Sequence, residues 1–351
     1  MLKSALLYLS YKCNLHCRYC FVKQDPCMMS SSTLKRIWKW LLPYFKKVDG
    51  PLLNLVGGEP LLSLSLLVEL SALLSIEKKI RLKEIPTNGI LLDEGILDFL
   101  RSSGMRLAFS LDGYSYAANS HRFANVNAFK RVLSNISAYK SMFGTPLIKM
   151  SVYPGKANGL ACEIERLIHN GFTRLTLEPV VGFPWHKEDA EDFYKSFKKI
   201  IRIYSTCLAS GQKISINPID KYREYIKMGW WDKIESDCCG LGHEIVFSPN
   251  GDAYACTLAS HLCNEDLRKR FYLGNIYKKI DLDKMEKLEH LHICDTSNIE
   301  CRHRFPNITC KKICAFFDFK AKDLLDMECV YNYLNIYNFM LHETYRTYFL
   351  K

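Results

Sequence analysis

The sequence has no run of about 18 apolar residues, so nothing in it reads as a membrane span. Its opening, Met1 to Ser10, carries one lysine and a short apolar stretch but no small-residue cleavage site, which disfavours a secretory signal. No proline- or serine-rich linker interrupts the chain. Charge is not massed either. The net +11 is spread over short groups such as Lys78–Lys79 and Arg268–Lys269–Arg270 among acids, which suits solvated helix faces and not a nucleic-acid groove. These absences point to a cytoplasmic protein whose partners include neither membrane nor nucleic acid. Cysteine, by contrast, is plentiful, with 15 in 351 residues. A chain this long and 48% hydrophobic needs no disulfide staples, so grouped cysteines read as metal ligands or redox groups.

The cysteines are indeed grouped. "CNLHCRYC" holds Cys13, Cys17 and Cys20, and nine more lie between Cys238 and Cys329. Cys162 and Cys207 fall in helical patterns and read as small core residues. Cys27 fits no ligand spacing.

Strand-like runs recur at Ala5–Tyr11, Leu52–Val56, Ile80–Pro86, Arg106–Leu111, Leu147–Val152 and Arg174–Pro179. Amphipathic stretches near 31–48, 63–77, 93–103, 126–142, 158–170 and 189–210 separate them, which implies parallel strands with helical crossovers. Residues that carry chemistry follow strand after strand: Cys13 the first, Gly57 to Pro60 the second, Thr87 to Gly89 the third, Ser110 and Asp112 the fourth. That is the habit of a barrel mouth, where an open sheet gathers them at one crevice. The expected fold is therefore α/β, a partial (β/α)6 TIM-like barrel over residues 1–230. A smaller cysteine-rich domain is expected over 231–351, with a β-hairpin at Glu244–Phe247 and Ala253–Ala255 and a helix from about Cys329 to Tyr348.

Three thiolates are one short of saturating a four-iron cluster, which leaves one iron open to a small ligand. A zinc knuckle completed by His16, or a redox pair of Cys17 and Cys20, are the alternatives. The redox pair leaves Cys13 unexplained. Neither accounts for "NLVGGEPLLS" at the next strand end, where Gly57 and Gly58 permit close backbone approach and Glu59 can accept from an ammonium group.

With "PTNG" and "FSLDG" at the following strand ends, the first 230 or so residues resemble the radical S-adenosylmethionine (radical SAM) enzymes, whose hallmark is C-x3-C-x2-C. Tyr19 stands in the usual aromatic place. The resemblance implies a 4Fe-4S cluster on Cys13, Cys17 and Cys20, whose open iron is chelated by S-adenosylmethionine. One-electron cleavage of that cofactor then yields a 5′-deoxyadenosyl radical that abstracts hydrogen. It further implies Gly57, Gly58 and Glu59 at the methionine amino group, Ser110 and Asp112 near the ribose, and Thr87 and Asn88 on the site floor. Arg122 either pairs with the cofactor carboxylate or is a surface arginine. An electron donor such as flavodoxin or ferredoxin is implied as well.

The last third resembles the SPASM extension of peptide- and protein-modifying members, which implies two auxiliary 4Fe-4S clusters. Gly251 to Cys256 is G-x4-C, Cys238 or Cys239 precedes it, and Cys310 and Cys314 form the closing C-x3-C. The resemblance would give one cluster Cys256, Cys314 and the Cys238/Cys239 pair, with Cys263 as a competitor. The other would take Cys294, Cys301, Cys310 and Cys329. Two departures stand out: Asn298 occupies a cysteine position, which makes Cys294 a substitute, and eight residues separate Cys301 from Cys310. A zinc ribbon is the alternative for this region.

The expected activity is oxidative modification of a ribosomally made peptide, by a thioether or carbon–carbon crosslink. Formylglycine formation in a sulfatase is an alternative. It is weakened because Thr257, a poor base, follows Cys256 where such enzymes place an aspartate, with His261 or a residue from elsewhere as the compensating alternative. A non-catalytic electron carrier is a further alternative. A leader-binding domain of about 80 residues is not in evidence, so a separate leader-peptide-binding protein is a candidate partner. In the "FPWHKED" loop, Trp185 and His186 are candidates for substrate contact, with ordinary surface-loop roles as the competing account.

Overall fold

Alternating apolar runs and amphipathic segments fold, in a computed structural model, into parallel strands joined by helices. The structure describes residues 2–227, 243–257, 261, 265–289, 336, 339–340 and 342–348.

The chain starts in β1 (Ser4–Tyr8), which is buried along most of its length. After a long loop comes α1 (Ser31–Phe45), started by Ser30, whose side chain accepts from the Thr33 N–H at 3.0 Å. β2 (Leu52–Val56) then pairs in parallel with β1, Ser4 against Leu52 and Tyr8 against Val56. α2 (Leu64–Ile76) returns to β3 (Arg81–Leu82), which pairs beside β2. Residues 80–86, expected as one strand, are split by the polar Lys83 and Glu84, and the chain re-enters strand structure as β4 (Ile85–Thr87). α3 (Glu94–Ser103) is capped by Asp93 and stopped by Gly104, whose φ of +71° only glycine adopts cheaply. β5 (Leu107–Ser110) lies parallel to β4.

A short α4 (Tyr116–Asn119) and a long α5 (Val126–Phe143) lead to β6 (Leu147–Val152). α6 (Leu160–His169), β7 (Arg174–Pro179), α7 (Lys187–Ala209), β8 (Ser215–Asn217) and α8 (Ile219–Lys227) complete the repeating part. β6, β7 and β8 form a parallel run, Leu147 opposite Arg174 and Arg174 opposite Ser215.

The expected hairpin is present as β9 (Glu244–Phe247) and β10 (Asp252–Tyr254), turned at Gly251, whose φ is +85°. α9 (Glu265–Phe271), β11 (Tyr272–Asn275) and α10 (Leu282–Glu289) follow. β9 pairs in parallel with β1, Ser4 against Glu244, so β11, β10, β9, β1, β2 and β3 make one sheet. The described positions from 342 to 348 are helical, as expected for the chain's end.

Two compact units result. One comprises Met1–Phe109, Arg131–Tyr139 and Gly240–Leu291, and the other Ser110–Lys130, Lys140–Cys239 and His292–Lys351. In the first, Leu6, Tyr8, Val22, Val246 and Tyr254 pack together, so the residues around the cysteine loop share a core with the hairpin. In the second, fully buried Ile148, Ile164, Phe193 and Phe197 form a core of side chains from β6, α6 and α7. Among the described residues, no helix is long and apolar enough to cross a membrane.

Candidate functional site

The three N-terminal cysteines sit on the excursion that leaves the C-terminal end of β1. An antiparallel bridge between Ser10 and Met28 closes this loop at its base, with the Tyr11 N–H donating to Cys27 O at 3.0 Å and Met29 N–H to Leu9 O at 2.8 Å. Leu15, Tyr19 and Val22 are buried beneath it, and Gln24 donates through Nε2 to Leu15 O. Three apolar anchors and a pinned base hold the loop while its thiols stay accessible. None of Cys13, Cys17 and Cys20 is in a disulfide; the first two are half-buried and the third is exposed.

Burial pushes the Cys13 thiol up from its ordinary value. The Leu15 N–H, donating to Sγ at 3.4 Å, works against that, and the charges of Glu59 and Cys20 work with it. A thiolate there therefore calls for a cationic partner. Among the described residues no three Cys, His, Asp or Glu side chains already converge as a metal cage. A soft, three-thiol donor set on one loop nevertheless fits an iron–sulfur cluster with one open iron.

The segment after β2 is built against this loop. Gly58 N–H donates to Ser10 O at 2.8 Å and Glu59 N–H to Lys12 O at 2.9 Å. A Cβ on Gly58 would lie 2.2 Å from Lys12 O, and one on Gly57 2.8 Å from Ser10 O. The close approach that these glycines permit is thus to the backbone leading into Cys13. Glu59 is fully buried. It accepts from Leu61 N–H at 3.1 Å and Thr87 Oγ1 at 2.8 Å through one oxygen, and from Asn88 N–H at 2.8 Å through the other. Burial raises its carboxyl above the ordinary range, opposed by those three donors. Asn88 then reaches the cysteine loop directly, its Nδ2 2.7 Å from Asn14 Oδ1 and 3.9 Å from Cys13 Sγ. One chain of contacts therefore runs from β2 through Glu59, Thr87 and Asn88 to Cys13.

In the second unit, Asp112 and Arg122 meet with both side chains under a tenth exposed. Arg122 donates from Nε to Oδ2 at 2.9 Å and from Nη2 to Oδ1 at 2.8 Å, and it also reaches Ser151 Oγ at 3.1 Å. Ser151 N–H donates to Asp112 Oδ1, while Asn119 Oδ1 accepts from Asp112 N–H, each at 2.8 Å. Arg122 is accordingly no surface arginine, and Asp112 is its carboxylate partner here. Ser110, half-buried, ends β5. Beside this pair lies a cavity of about 200 Å³, lined by Asp112, Ser115, Ser151, Tyr153, Lys156 and Glu163 among others.

Cys256 is half-buried just past β10. The neighbouring Thr257 shares a 2.9 Å hydrogen bond with the Tyr8 hydroxyl. Cys238, Cys239, Cys263, Cys294, Cys301, Cys310, Cys314 and Cys329 lie outside the described residues.

Other side chains group into arrangements that spacing along the chain does not show. His261 stands in an aromatic box, with ring centroids 4.6 Å from Tyr8, 4.8 Å from Tyr11 and 6.1 Å from Phe21. Burial, helped by the Arg268 charge, lowers its imidazole to about 4. His121, Tyr153 and Phe183, from the loops after β5, β6 and β7, lie in a row, His121 tilted against Tyr153 at 4.3 Å and Phe183 edge-on to Tyr153 at 5.3 Å. Trp185 is not a contact residue. It is fully buried, with Nε1 donating to Val180 O at 3.0 Å, while His186 caps α7.

Comparison with known proteins yields consistent likenesses. Residues 7–156 match the family model described as the Radical SAM superfamily. The serine-type anaerobic sulfatase-maturating enzyme of Klebsiella aerogenes is 24% identical over 274 residues, covering 73% of this chain and 66% of that protein. The chain spans between about half and two thirds of the length of the curated relatives it matches. Among solved structures, native anSMEcpe with bound AdoMet and Cp18Cys peptide superposes with a TM-score of 0.77 at 20% identity, covering 98% of this chain and 97% of that one. Streptococcus suis SuiB bound to precursor peptide SuiA gives 0.63 at 15% identity, covering 93% and 76%. At such identities these superpositions establish the fold, a partial TIM-like barrel.

Proposed function

We propose that this chain, whose residues 7–156 match the Radical SAM superfamily model, is a radical SAM enzyme that modifies a peptide or protein and not a passive electron carrier. The observation that carries this reading is the pinned loop of three cysteines outside any disulfide, backed by the Glu59–Thr87–Asn88 chain of contacts. Peptides in the anSMEcpe and SuiB structures, whose fold this chain shares nearly end to end, support a peptide as substrate.

On this reading Cys13, Cys17 and Cys20 hold a 4Fe-4S cluster that, with S-adenosylmethionine, supplies hydrogen abstraction from an unactivated carbon. The protein positions and excludes. Gly57 and Gly58 keep the backbone after β2 tight against the residues before Cys13, and backbone groups of this segment are left to meet the cofactor's amino group. Glu59 fixes Thr87 and Asn88 from within. Within the second unit, Asp112 and Arg122 stiffen the wall of the cavity that Ser115 and Ser151 help to line. Cys238, Cys239, Cys256, Cys294, Cys301, Cys310, Cys314 and Cys329 are the candidates for holding two auxiliary clusters.

A peptide crosslink is the favoured product. Thr257 and Tyr8 offer hydroxyls to one another where formylglycine formation would want a carboxylate base. The test is anaerobic incubation with dithionite and S-adenosylmethionine. Wild type should release 5′-deoxyadenosine, and Cys17→Ala should release none while keeping its other iron. Cleavage by Cys17→Ala at the wild-type rate removes the cluster assignment. Conversion of a sulfatase-derived Cys or Ser peptide to an aldehyde would replace crosslinking by the sulfatase-maturing alternative.

A further inference from the structure

We propose that a cavity beside the hairpin of the first unit is a carboxylate subsite, built around Arg268, for an acidic residue of the peptide substrate. The inference rests on the peptide reading above and narrows its substrate class to peptides that carry a glutamate or an aspartate. The cavity measures about 370 Å³ and is lined by Asp252 and Tyr254 of β10, Glu265, Arg268 and Lys269 of α9, and Tyr272 of β11. Cys256 and Thr257 come just past Tyr254, so the cavity adjoins the segment that carries that thiol.

Arg268 differs from an unpaired surface lysine in being fixed. Its Nε donates to the Tyr254 hydroxyl at 3.0 Å, and its guanidinium carbon lies 5.8 Å from the centre of that ring. Tyr254 is itself buried and stands edge-on to Tyr272 at 5.5 Å, so the guanidinium is anchored to the core. With Nε spent, the N–H groups of Nη1 and Nη2 have no partner among the described residues. The acids of the cavity are engaged elsewhere. Asp252 accepts from Asn275 Nδ2 at 2.8 Å, from Asn250 Nδ2 at 2.9 Å and from the Tyr272 hydroxyl at 3.3 Å. Glu265 pairs with Lys269 at 3.4 Å.

What remains is one planar cation with unspent donors in a cavity, and that arrangement selects a carboxylate. Its N–H groups match the two oxygens of a carboxylate group. A phosphate group brings a second negative charge beside Asp252 and Glu265, where no second unpaired cation lines the cavity to meet it. The space also exceeds what a carboxylate alone fills. The rings of Tyr254 and Tyr272 give the stem of an acidic side chain apolar surface to lie on, and the remaining volume admits its flanking main chain.

The experiment titrates N-acetyl-Gly-Glu-Gly-amide, its Gln counterpart and inorganic phosphate into the iron-loaded chain under anaerobic conditions, with binding read by ligand-observed NMR. Wild type should bind the Glu peptide about tenfold more tightly than the Gln peptide, the worth of one charge-assisted pair of hydrogen bonds. Arg268→Gln should remove that difference. Lys278→Gln, the same loss of charge at an exposed position outside the cavity, should leave it within about twofold. Arg268→Lys should recover less than about half of the preference, because an ammonium offers no fork. Equal affinity for the two peptides in wild type, phosphate binding tighter than the Glu peptide, or a preference that survives Arg268→Gln overturns the proposal. Should Arg268→Gln fail to fold, the wild-type comparison decides by itself. The enzyme reading has its own readout: selective binding without release of 5′-deoxyadenosine under dithionite keeps the subsite and sinks that reading, and release without selectivity does the reverse.

Discussion

Arg122 grips Asp112 through two parallel hydrogen bonds of 2.9 and 2.8 Å in a setting where neither side chain is more than a tenth exposed. Such a pair contributes little over apolar packing, but breaking it strands a charge. Arg122→Ala should therefore cost about 3–5 kcal/mol in denaturant unfolding. Asp112→Ala/Arg122→Ala should cost less than the sum of the two single variants, because neither charge is then left alone.

Glu59 should behave as a bracket. Gln in its place keeps one acceptor where three donors converge, so Glu59→Gln should lose about 2 kcal/mol of stability, read by chemical denaturation. The pH dependence has a definite sign. The folded-state carboxyl titrates above its ordinary 4.5, so the native protein binds the proton more tightly than the unfolded chain does. Its contribution is present in full below that value and declines as pH rises through the raised one. Glu59→Gln should remove this decline.

Gly58 tests how the cysteine loop is seated. In Gly58→Ala the new methyl would stand 2.2 Å from Lys12 O, a backbone atom that cannot swing away. The variant should lose about 3 kcal/mol or more, and it should bind less iron at the N-terminal loop than wild type.

His261 should report on acid. Its imidazole titrates at about 4 in the folded chain against an ordinary 6.5, so it folds neutral. Stability from this group is complete above the ordinary value and is lost as pH falls toward the depressed one. His261→Phe, which keeps the ring among Tyr8, Tyr11 and Phe21, should flatten the acid limb of the stability profile. An NMR titration finding this imidazole at its ordinary value would contradict the assignment.

Legibility in the sequence followed locality. β2, β6 and β7 have the limits read from their apolar runs, because β2 is buried through its middle and β6 and β7 bury every second residue. β8 escaped notice, since Ser215–Asn217 offers one apolar residue and no alternation. The cysteine loop and the Gly57–Gly58–Glu59 segment were legible as chemistry, yet not how they meet. Nothing local says that Glu59 turns inward to Thr87 and Asn88, or that Arg122 finds Asp112. Trp185 looked like loop surface because its neighbours are polar, whereas its indole fills a core position. The hairpin was readable, but its pairing with β1 was not, because no short-range pattern records it.

That pairing bears on the order in which the chain can fold. Ser4 and Glu244 meet across 240 positions of chain, so the strand from which the thiol loop springs waits for its second flank until β9 has been made. Until then the bed beneath the three cysteines has β2 on one side and nothing on the other, so its lateral support depends on a stretch of chain far away in sequence.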